Sequence, residues 1–550
     1  MTLDNQKPCI VQTPQGFSVS YKEKFLYSKY NPKKAICTTV ENLQLLPGTL
    51  ILCCSPVMPY GLKELSEKLP QDCLMLGIEL EQELVDFINQ NKDEFLNIKN
   101  FALLTKEECL DLPLLLGKKN VKINSGFELP VPGTFRRVIR IDFSSGIQFN
   151  SSLYDQINYS CVNAVKTFWT NRITLTAFGR RYTQDLFRNL KNLCKSTPIS
   201  AFIKKITLPI IIFGAGESTD QGALEIKNNR ENFFILCADT AAATLVKNGI
   251  VPDGVFVEEA QNIITKAFIG IAKYNIHIFA GLSSVPALSR IAKNKNISYF
   301  LTLYTQCNFL SELEEKSFIE STNAPFGSVG LTMLYYALLF RKSEDIPVYI
   351  YGLDFSYSAG KTHAKNTMAH ISRLIANTKL IPVQNYAAAF CSNAQGFTAK
   401  NGKRMYTTQV LHSYSMILKN LFAYNSDIKN IFDSSESGIP LEIISKKPSA
   451  NDYTTKDKLI LSKENPSFKT NQINDLELFL ENTKSDLNTL KNLLTGNTKL
   501  SSDKINEEIE RLINKNDYLY LHFADAYKFS LNQSFLNRIR TEIDFFIKYL

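Results

Sequence analysis

A chain of 550 residues is too long for one hydrophobic core and predicts about three domains. With 44% hydrophobic and 21% charged residues it has the composition of a globular protein, and no apolar run reaches the roughly 18 residues of a membrane span, which argues against membrane insertion. The net charge of +9 is spread without a dense basic run, which suits anionic ligands and argues against a nucleic-acid partner.

The opening residues Met1-Thr2-Leu3-Asp4-Asn5 have neither a basic nor an apolar leader, so no secretory signal is expected and the location read from the sequence is cytoplasmic. The 11 cysteines are scattered, with no CxxC, and only 5 histidines accompany them. Buried free thiols are expected rather than zinc ligands.

Residues 1–150 read as an N-terminal α/β domain. Thr49 to Cys54 is a buried strand, Leu62 to Leu69 has helical period, and Cys73 to Ile78 is a second strand followed by Glu79-Leu80-Glu81. This series looks like half of a nucleotide-binding sheet. Its first strand ends in Ser55-Pro56-Val57 where glycines would be needed, so a degenerate Rossmann-like domain forming a wall or interface is expected. A helical stretch follows over about 155–205, with Trp169 as a core residue.

Residues 151–435 form the central domain. Strands are expected at 209–213, 233–238, 254–257, 276–280, 298–303 and 347–352, with amphipathic segments such as Ala241 to Lys247 and Ser328 to Phe340 between them. That pattern predicts a parallel sheet with helices on both faces and a ligand at the carboxyl ends of its strands. Residues 436–472 read as a linker with one short strand, Leu441 to Ile444. Residues 473–550 read as a helical bundle whose first helix is opened by Asn474 with Glu477 and stopped at Gly496. The bundle could pack on the core, form a homo-oligomer or receive a partner.

The strand ends give the candidate site. Ile210 to Phe213 runs into Gly214-Ala215-Gly216-Glu217-Ser218, a turn whose bare backbone suits phosphate or simple chain reversal. Asp239-Thr240 offers a carboxylate and a hydroxyl for a ribose or base, or a helix cap. Of Glu258-Glu259 one acid can face a pocket, while Ser284 and the helix-opening Gly327-Ser328 close other strands. The richest segment is Tyr349 to Tyr357 followed by Gly360-Lys361-Thr362-His363-Ala364. There a strand-end Asp354 precedes a loop histidine, His363, able to act as a general base near neutral pH.

Taken in order, the GxGxS turn, ADTA with GI.PD, GSV before an apolar helix, and GLDFSY with GKTHA resemble the motility accessory factor family. Phe25 to Pro32 resembles a short segment of the family's N-terminal domain, and the likeness covers roughly residues 15–435. Members share a domain with archaeal hydroxymethylpterin diphosphokinase-like proteins, and their central domain is similar to bacterial sialyltransferases. The resemblance implies a Rossmann-like, sialyltransferase-like domain that moves a nonulosonic sugar from a CMP-activated donor to flagellin Ser/Thr. It would place Gly214, Gly216 and Ser218 at the donor phosphate, Asp239 and Thr240 at the nucleotide, and Asp354 and His363 at the reacting centre. Glu217, where the family has Pro-Ser-Leu, and Glu258, where it tends to have Asp, are departures that put donor or activity in question.

Two further classes remain open. A pterin diphosphokinase would need ATP and Mg2+, which Asp239, Glu258 and Asp354 could hold. A non-catalytic accessory protein would bind flagellin through the helical tail.

Overall fold

Alternating apolar strands and helices fold the chain into two compact units, Met1–Phe178 with His522–Ser530, and Gly179–Leu521 with Leu531–Leu550. The structure is a computed structural model that describes residues 7–550 except 92–94, 96–97, 119–120, 124–125, 294–295, 383–393, 424–428, 450–467, 497–501 and 528. The leader residues and the middle of the expected linker lie outside the described residues.

In the first unit a three-stranded antiparallel sheet, β1 (Cys9–Thr13), β2 (Gly16–Tyr21) and β3 (Lys24–Phe25), precedes a parallel sheet. The parallel strands are β4 (Thr49–Cys54), β5 (Leu74–Ile78), β6 (Phe101–Leu103) and β7 (Arg137–Asp142), in the order β6-β5-β4-β7. Helices α1 (Lys34–Asn42), α2 (Leu62–Glu67), α3 (Gln82–Gln90) and α4 (Lys106–Leu115) connect them. Because side chains alternate along a strand, Leu50, Leu52 and Cys54 join one buried cluster while Ile51 and Cys53 join another. That explains why β4 reads as an unbroken apolar run.

The crevice at the β4/β7 switch of this sheet is filled by the chain itself. Ser55 Oγ donates to Glu79 Oε2 at 2.7 Å, Tyr154 OH donates to Glu79 Oε1 at 3.1 Å, and Ser144 Oγ donates to Ser55 Oγ at 2.9 Å. The backbone N–H groups of Leu80 and Glu81 also donate to Glu79. The acid that follows the second strand is therefore a buried structural node.

A single helix, α5 (Ser151–Leu193), carries the chain across the boundary between the units, so no composition break marks it. Trp169 is half-buried, its indole N–H donating to Phe135 O at 2.7 Å and the Arg136 guanidinium lying 3.4 Å from its ring centre.

The second unit holds an eight-stranded, all-parallel sheet. Its strands are β8 (Ile210–Phe213), β9 (Phe234–Ala238), β10 (Gly254–Val257), β11 (His277–Gly281), β12 (Ile297–Thr302), β13 (Thr322–Asn323), β14 (Val348–Tyr351) and, after the hairpin β15 (Ala394–Thr398)–β16 (Arg404–Thr408), β17 (Ile431–Asp433). The six expected strands are present within one or two residues at each end. The two short edge strands β13 and β17 had no apolar run to announce them. The order is β13-β12-β11-β10-β9-β8-β14-β17: the chain steps outward from β8 and then returns to its other side, so the switch point lies between β8 and β14.

Helices cover both faces. Ile210 and Ile212 pack in the cluster containing α10 (Val329–Phe340), while Phe213 on the alternate face meets Gly222 of α6 (Ser218–Ile226). The remaining helices are α7 (Asp239–Lys247), α8 (Ala287–Ile291), α9 (Asn308–Glu315), α11 (Met368–Ala376), α12 (Gln409–Ala423), α13 (Thr470–Leu494), α14 (Ser502–Lys515) and α15 (Gln533–Phe546). The sequence reads α10 as amphipathic, yet Gly330, Leu331, Thr332, Met333, Leu334, Tyr336, Ala337 and Phe340 are all buried. It is a helix enclosed by the sheet and its neighbours, hydrophobic nearly all round.

The tail helices belong to the second unit. Asp517 accepts from the N–H of Asn308 at 2.8 Å, and Phe309 lies 4.8 Å from Tyr518 and 5.5 Å from Phe479, ring centre to ring centre. Helix α13 begins at Thr470 after Lys469, four residues before the expected cap at Asn474. Gly496, at φ +76°, follows the helix end as expected. The expected strand Leu441 to Ile444 is irregular, with one bridge between Asp433 and Ser445.

Candidate functional site

A cavity of about 250 Å3 opens at the β8/β14 switch point. The turn after β8 contributes Gly214, Ala215 and Gly216, and the end of β9 contributes Ala238, Asp239 and Thr240. The start of α10 adds Ser328, Val329 and Gly330. The segment after β14 adds Gly352, Leu353, Phe355, Ser356, Thr362 and His363, and α12 adds Leu411 and Tyr414. Of the sequence candidates, Gly214, Gly216, Asp239, Thr240, Ser328 and His363 therefore share one cavity, while Ser218, Glu258, Ser284, Gly327 and Asp354 do not line it.

The Gly-x-Gly turn is built for close packing of two strand ends. Gly214 N donates to Tyr351 O at 2.8 Å and Gly216 N to Gly352 O at 2.9 Å. A Cβ on Gly214 would lie 2.2 Å from Gly352 O, and one on Gly216 would lie 2.5 Å from Asp354 Oδ2. Asp354 sits beneath this turn, 1% exposed. Its carboxylate accepts from Ser218 N at 2.8 Å and Ser218 Oγ at 2.5 Å, and Ser218 Oγ in turn accepts from Gly352 N at 2.7 Å. Burial pushes the Asp354 carboxyl up to about 6 against these donors. The N–H groups that the sequence assigned to a phosphate are engaged by β14, and the N-terminus of α6 is already capped by a carboxylate.

Glu217 points away from the cavity. Its Oε1 accepts from Ser358 N at 2.5 Å, and Lys361 lies 3.7 Å from its other oxygen and 2.7 Å from Asp220. Asp220 also accepts from Lys365 N, Ala364 N donates to Ala215 O at 2.9 Å, and Thr244 Oγ1 donates to Lys365 O at 2.5 Å. These bonds pin the loop that carries His363 onto α6 and α7.

His363 faces the cavity with its Nδ1 at 2.9 Å from Thr362 Oγ1, and burial, helped by Arg373, lowers its pKa below the usual imidazole value. Asp239 is the first residue of α7 rather than its cap, which is Ala238. Its Oδ1 accepts from Thr240 N and Thr240 Oγ1, its Oδ2 has no hydrogen-bond partner among the described residues, and burial pushes it up to about 6.

Glu258 accepts from Thr302 Oγ1 at 2.6 Å and Thr332 Oγ1 at 2.8 Å, a buried tie between β12 and α10. Ser284 lies in the turn after β11, its hydroxyl buried without a partner among the described residues. Gly327, at φ +75°, is required by the wall: a Cβ there would lie 2.6 Å from Tyr414 Cε1.

The open helix start is that of α10. Ser328, its cap, makes no side-chain cap bond, and Ser328, Val329 and Gly330 line the cavity. Free N–H groups and the helix dipole there favour an anion. Sequence reasoning missed Tyr414, Leu411 and Phe355. Gly327-Ser328-Val329-Gly330 was the signal for the helix start; α12, more than 70 residues further on, carries no motif that could have pointed to it.

A doubly wound parallel sheet with its cavity at the switch point defines a Rossmann-like, ligand-binding α/β protein. The family model described as 6-hydroxymethylpterin diphosphokinase MptE-like matches residues 184–360. An uncharacterized protein of Treponema pallidum (strain Nichols) is 30% identical over 568 residues, covering 99% of this chain and 95% of the relative. The Maf glycosyltransferase from Magnetospirillum magneticum AMB-1 superimposes with a TM-score of 0.52 at 13% identity, covering 99% of this chain and 91% of that one, and so shares its fold. The chain belongs to one family with the Treponema pallidum protein, and its central region is MptE-like over residues 184–360.

Proposed function

We propose that the chain is a glycosyltransferase that moves a nonulosonic sugar from a CMP-activated donor to a Ser/Thr hydroxyl of flagellin. The observation that carries the reading is the convergence of His363, Asp239 and the open N-terminus of α10 on one switch-point cavity. A fold shared with a glycosyltransferase supports it. The donor phosphate would sit at Ser328, Val329 and Gly330, where N–H groups and the helix dipole meet negative charge without rearrangement. Asp239 Oδ2 would accept a ribose hydroxyl.

His363 would take the acceptor proton. Its lowered pKa keeps the imidazole neutral at pH 7, as a base requires, and the Thr362 contact at Nδ1 leaves Nε2 for the acceptor. As that proton moves to Nε2, the acceptor oxygen bonds to the anomeric carbon and the bond from that carbon to the CMP oxygen breaks, CMP leaving with the electron pair. No covalent intermediate is needed, so inversion is expected. Asp354 enters as the clamp that holds the two strand ends, not as the partner of His363.

Thermal shift with CMP, UDP, GDP and ATP, with and without Mg2+, followed by transfer to flagellin, tests the reading: CMP alone should raise the melting temperature. His363→Ala should abolish transfer while leaving the CMP shift; wild-type transfer by that variant would remove the base assignment.

The family match at 184–360 favours a second reading, a pterin diphosphokinase. It would show as a shift with ATP and Mg2+ and release of AMP with a pterin acceptor. Of the three acids that would hold its metal, only Asp239 lines the cavity, since Glu258 is bound to two threonines and Asp354 to Ser218.

A further inference from the structure

The same sheet carries a second cavity, of about 210 Å3, outside the carboxyl ends of β10 and β11. One face of α5 forms its floor: Arg181, Gln184, Asp185 and Arg188 recur at the spacing of successive helical turns. The wall is Ala260 and Asn262 after β10 and Pro286 after β11. Helix and wall are tied together by Asn189, whose Nδ2 donates to Leu282 O at 2.9 Å and Ser284 O at 2.8 Å, and the two wall loops are joined by Val285 N, which donates to Glu259 O at 3.0 Å.

The charges in this cavity are only loosely paired within it. Asp185 is 4% exposed, yet its carboxylate takes no hydrogen bond among the described residues, and the nearest cation, Arg188 Nη1, stands at 3.7 Å. Burial pushes the acid up to about 7. Arg181 has no ion-pair partner among the described residues and is exposed at the rim, while Arg188 rests its guanidinium 4.7 Å from the ring centre of Tyr549. Two more buried polar atoms on the joint between helix and wall, Asn189 Oδ1 and Ser284 Oγ, have no hydrogen-bond partner among the described residues. A carboxylate this buried whose one cation stands beyond hydrogen-bond distance asks for an explanation.

Its chemistry specifies a visitor. Arg181 and Arg188, rooted two helical turns apart, both line the cavity, and each guanidinium fork can recognise a carboxylate or phosphate. Between them a desolvated acid asks for hydroxyl donors, and the Gln184 and Asn262 amides can serve hydroxyls in either sense. The volume is that of about seven waters, the scale of one monosaccharide.

We propose that this cavity is a second binding site for a small polyhydroxylated anion, a sugar acid or a sugar phosphate, held by Arg181 and Arg188 with its hydroxyls on Asp185. This goes beyond the transferase reading and does not depend on it.

The test is titration of the full chain, by calorimetry and saturation-transfer NMR, with glucuronate, glucose 6-phosphate and neutral glucose as probes. At least one anion should bind, glucose should bind at least tenfold more weakly, and Arg181→Met, a substitution at the exposed rim, should weaken the anion at least tenfold. Binding of glucuronate alone would identify a carboxylate ligand, and of glucose 6-phosphate alone a phosphate ligand. Asp185→Asn should weaken the sugar anion more than it weakens inorganic phosphate. The proposal falls if neither anion binds at about 20 mM, well beyond the millimolar range of weak specific sites. It falls equally if glucose binds as well as the anions, or if Arg181→Met leaves binding intact; displacement of the probe by CMP would then put it in the first cavity.

Discussion

Gly216→Ala separates two readings of the turn after β8. If the glycine exists so that a phosphate can approach, the methyl should weaken ligand binding and leave stability alone. The structure predicts the reverse emphasis. The new Cβ would lie 2.5 Å from Asp354 Oδ2 and 2.8 Å from Gly352 O, both fixed groups beneath the turn. Relieving these contacts means moving the β8 and β14 ends apart by most of an ångström, at about 1–3 kcal/mol for overpacking. Lengthening the bond from Gly216 N to Gly352 O adds about 0.5–1.5 kcal/mol. A total of about 2–4 kcal/mol in a unit of this size lowers the melting temperature by about 3–6 °C. Gly281→Ala is the control, because the nearest atom to a Cβ there is 3.5 Å away, ordinary contact. Scanning calorimetry of both variants, with and without CMP, reads the difference. A Gly216→Ala protein that melts within about 1 °C of wild type but loses its CMP shift would refute the packing argument.

The other predictions follow from the same contacts. Asp354→Asn places an amide N–H₂ against Ser218 Oγ, which already accepts from Gly352 N, so it should cost about 1–3 kcal/mol in chemical denaturation; an unchanged stability with lost transfer would return Asp354 to the reacting centre. Lys361→Met removes the cation shared by Glu217 and Asp220 and loosens the His363 loop, so transfer should fall about ten- to a hundredfold in kcat, with Lys361→Arg restoring most of it. Asp185, ordinarily near 3.8 but held at about 7, binds a proton in the folded chain that the unfolded chain has released, so it costs stability as pH rises from about 4 to 7. The advantage of Asp185→Asn in melting temperature should therefore grow from pH 5 to pH 7.5. His277, bonded to Ser298 and lowered to about 3, works in the other direction: stability should be lost as pH falls from about 6.5 toward 3, and His277→Gln should flatten that limb.

The central sheet was legible because its strands are buried on both faces and read as short apolar runs such as Ile210 to Phe213 and Val348 to Tyr351. The two-residue strand β13 and three-residue strand β17 are too short to carry a pattern, and the division of the chain inside α5 leaves no trace because a continuous helix spans it. At the site, the strand-end rule singled out Gly214, Asp239, Ser328 and His363, which share one cavity, since the chain must leave every parallel strand at the same edge. What the sequence could not supply was direction. Ser218 and Asp354 are adjacent to cavity residues in the chain but turn toward each other beneath the loop. Glu258 turns to Thr302 and Thr332, partners 44 and 74 residues away.

These directions bear on where an anion can bind. A parallel sheet of this kind offers several helix starts along one edge, and the first of them, at α6, is the habitual place for a phosphate. Here Asp354 occupies that start with a charge of its own, accepting the Ser218 N–H that a phosphate would use. A second anion there would meet like charge in a buried setting. The start of α10 has no such occupant: its cap serine is unbonded by its side chain, and its first residues face the cavity. Gly330 keeps that start close to the β14 end, for a Cβ would lie 2.3 Å from Leu353 Cδ2. On the function proposed above, the negative group of the ligand would therefore sit at α10, across the cavity from the glycine turn. Ser328→Ala should weaken CMP by about three- to tenfold, as the loss of one hydroxyl donor predicts. Equal affinity in that variant, with loss in Ser218→Ala, would move the phosphate back to α6.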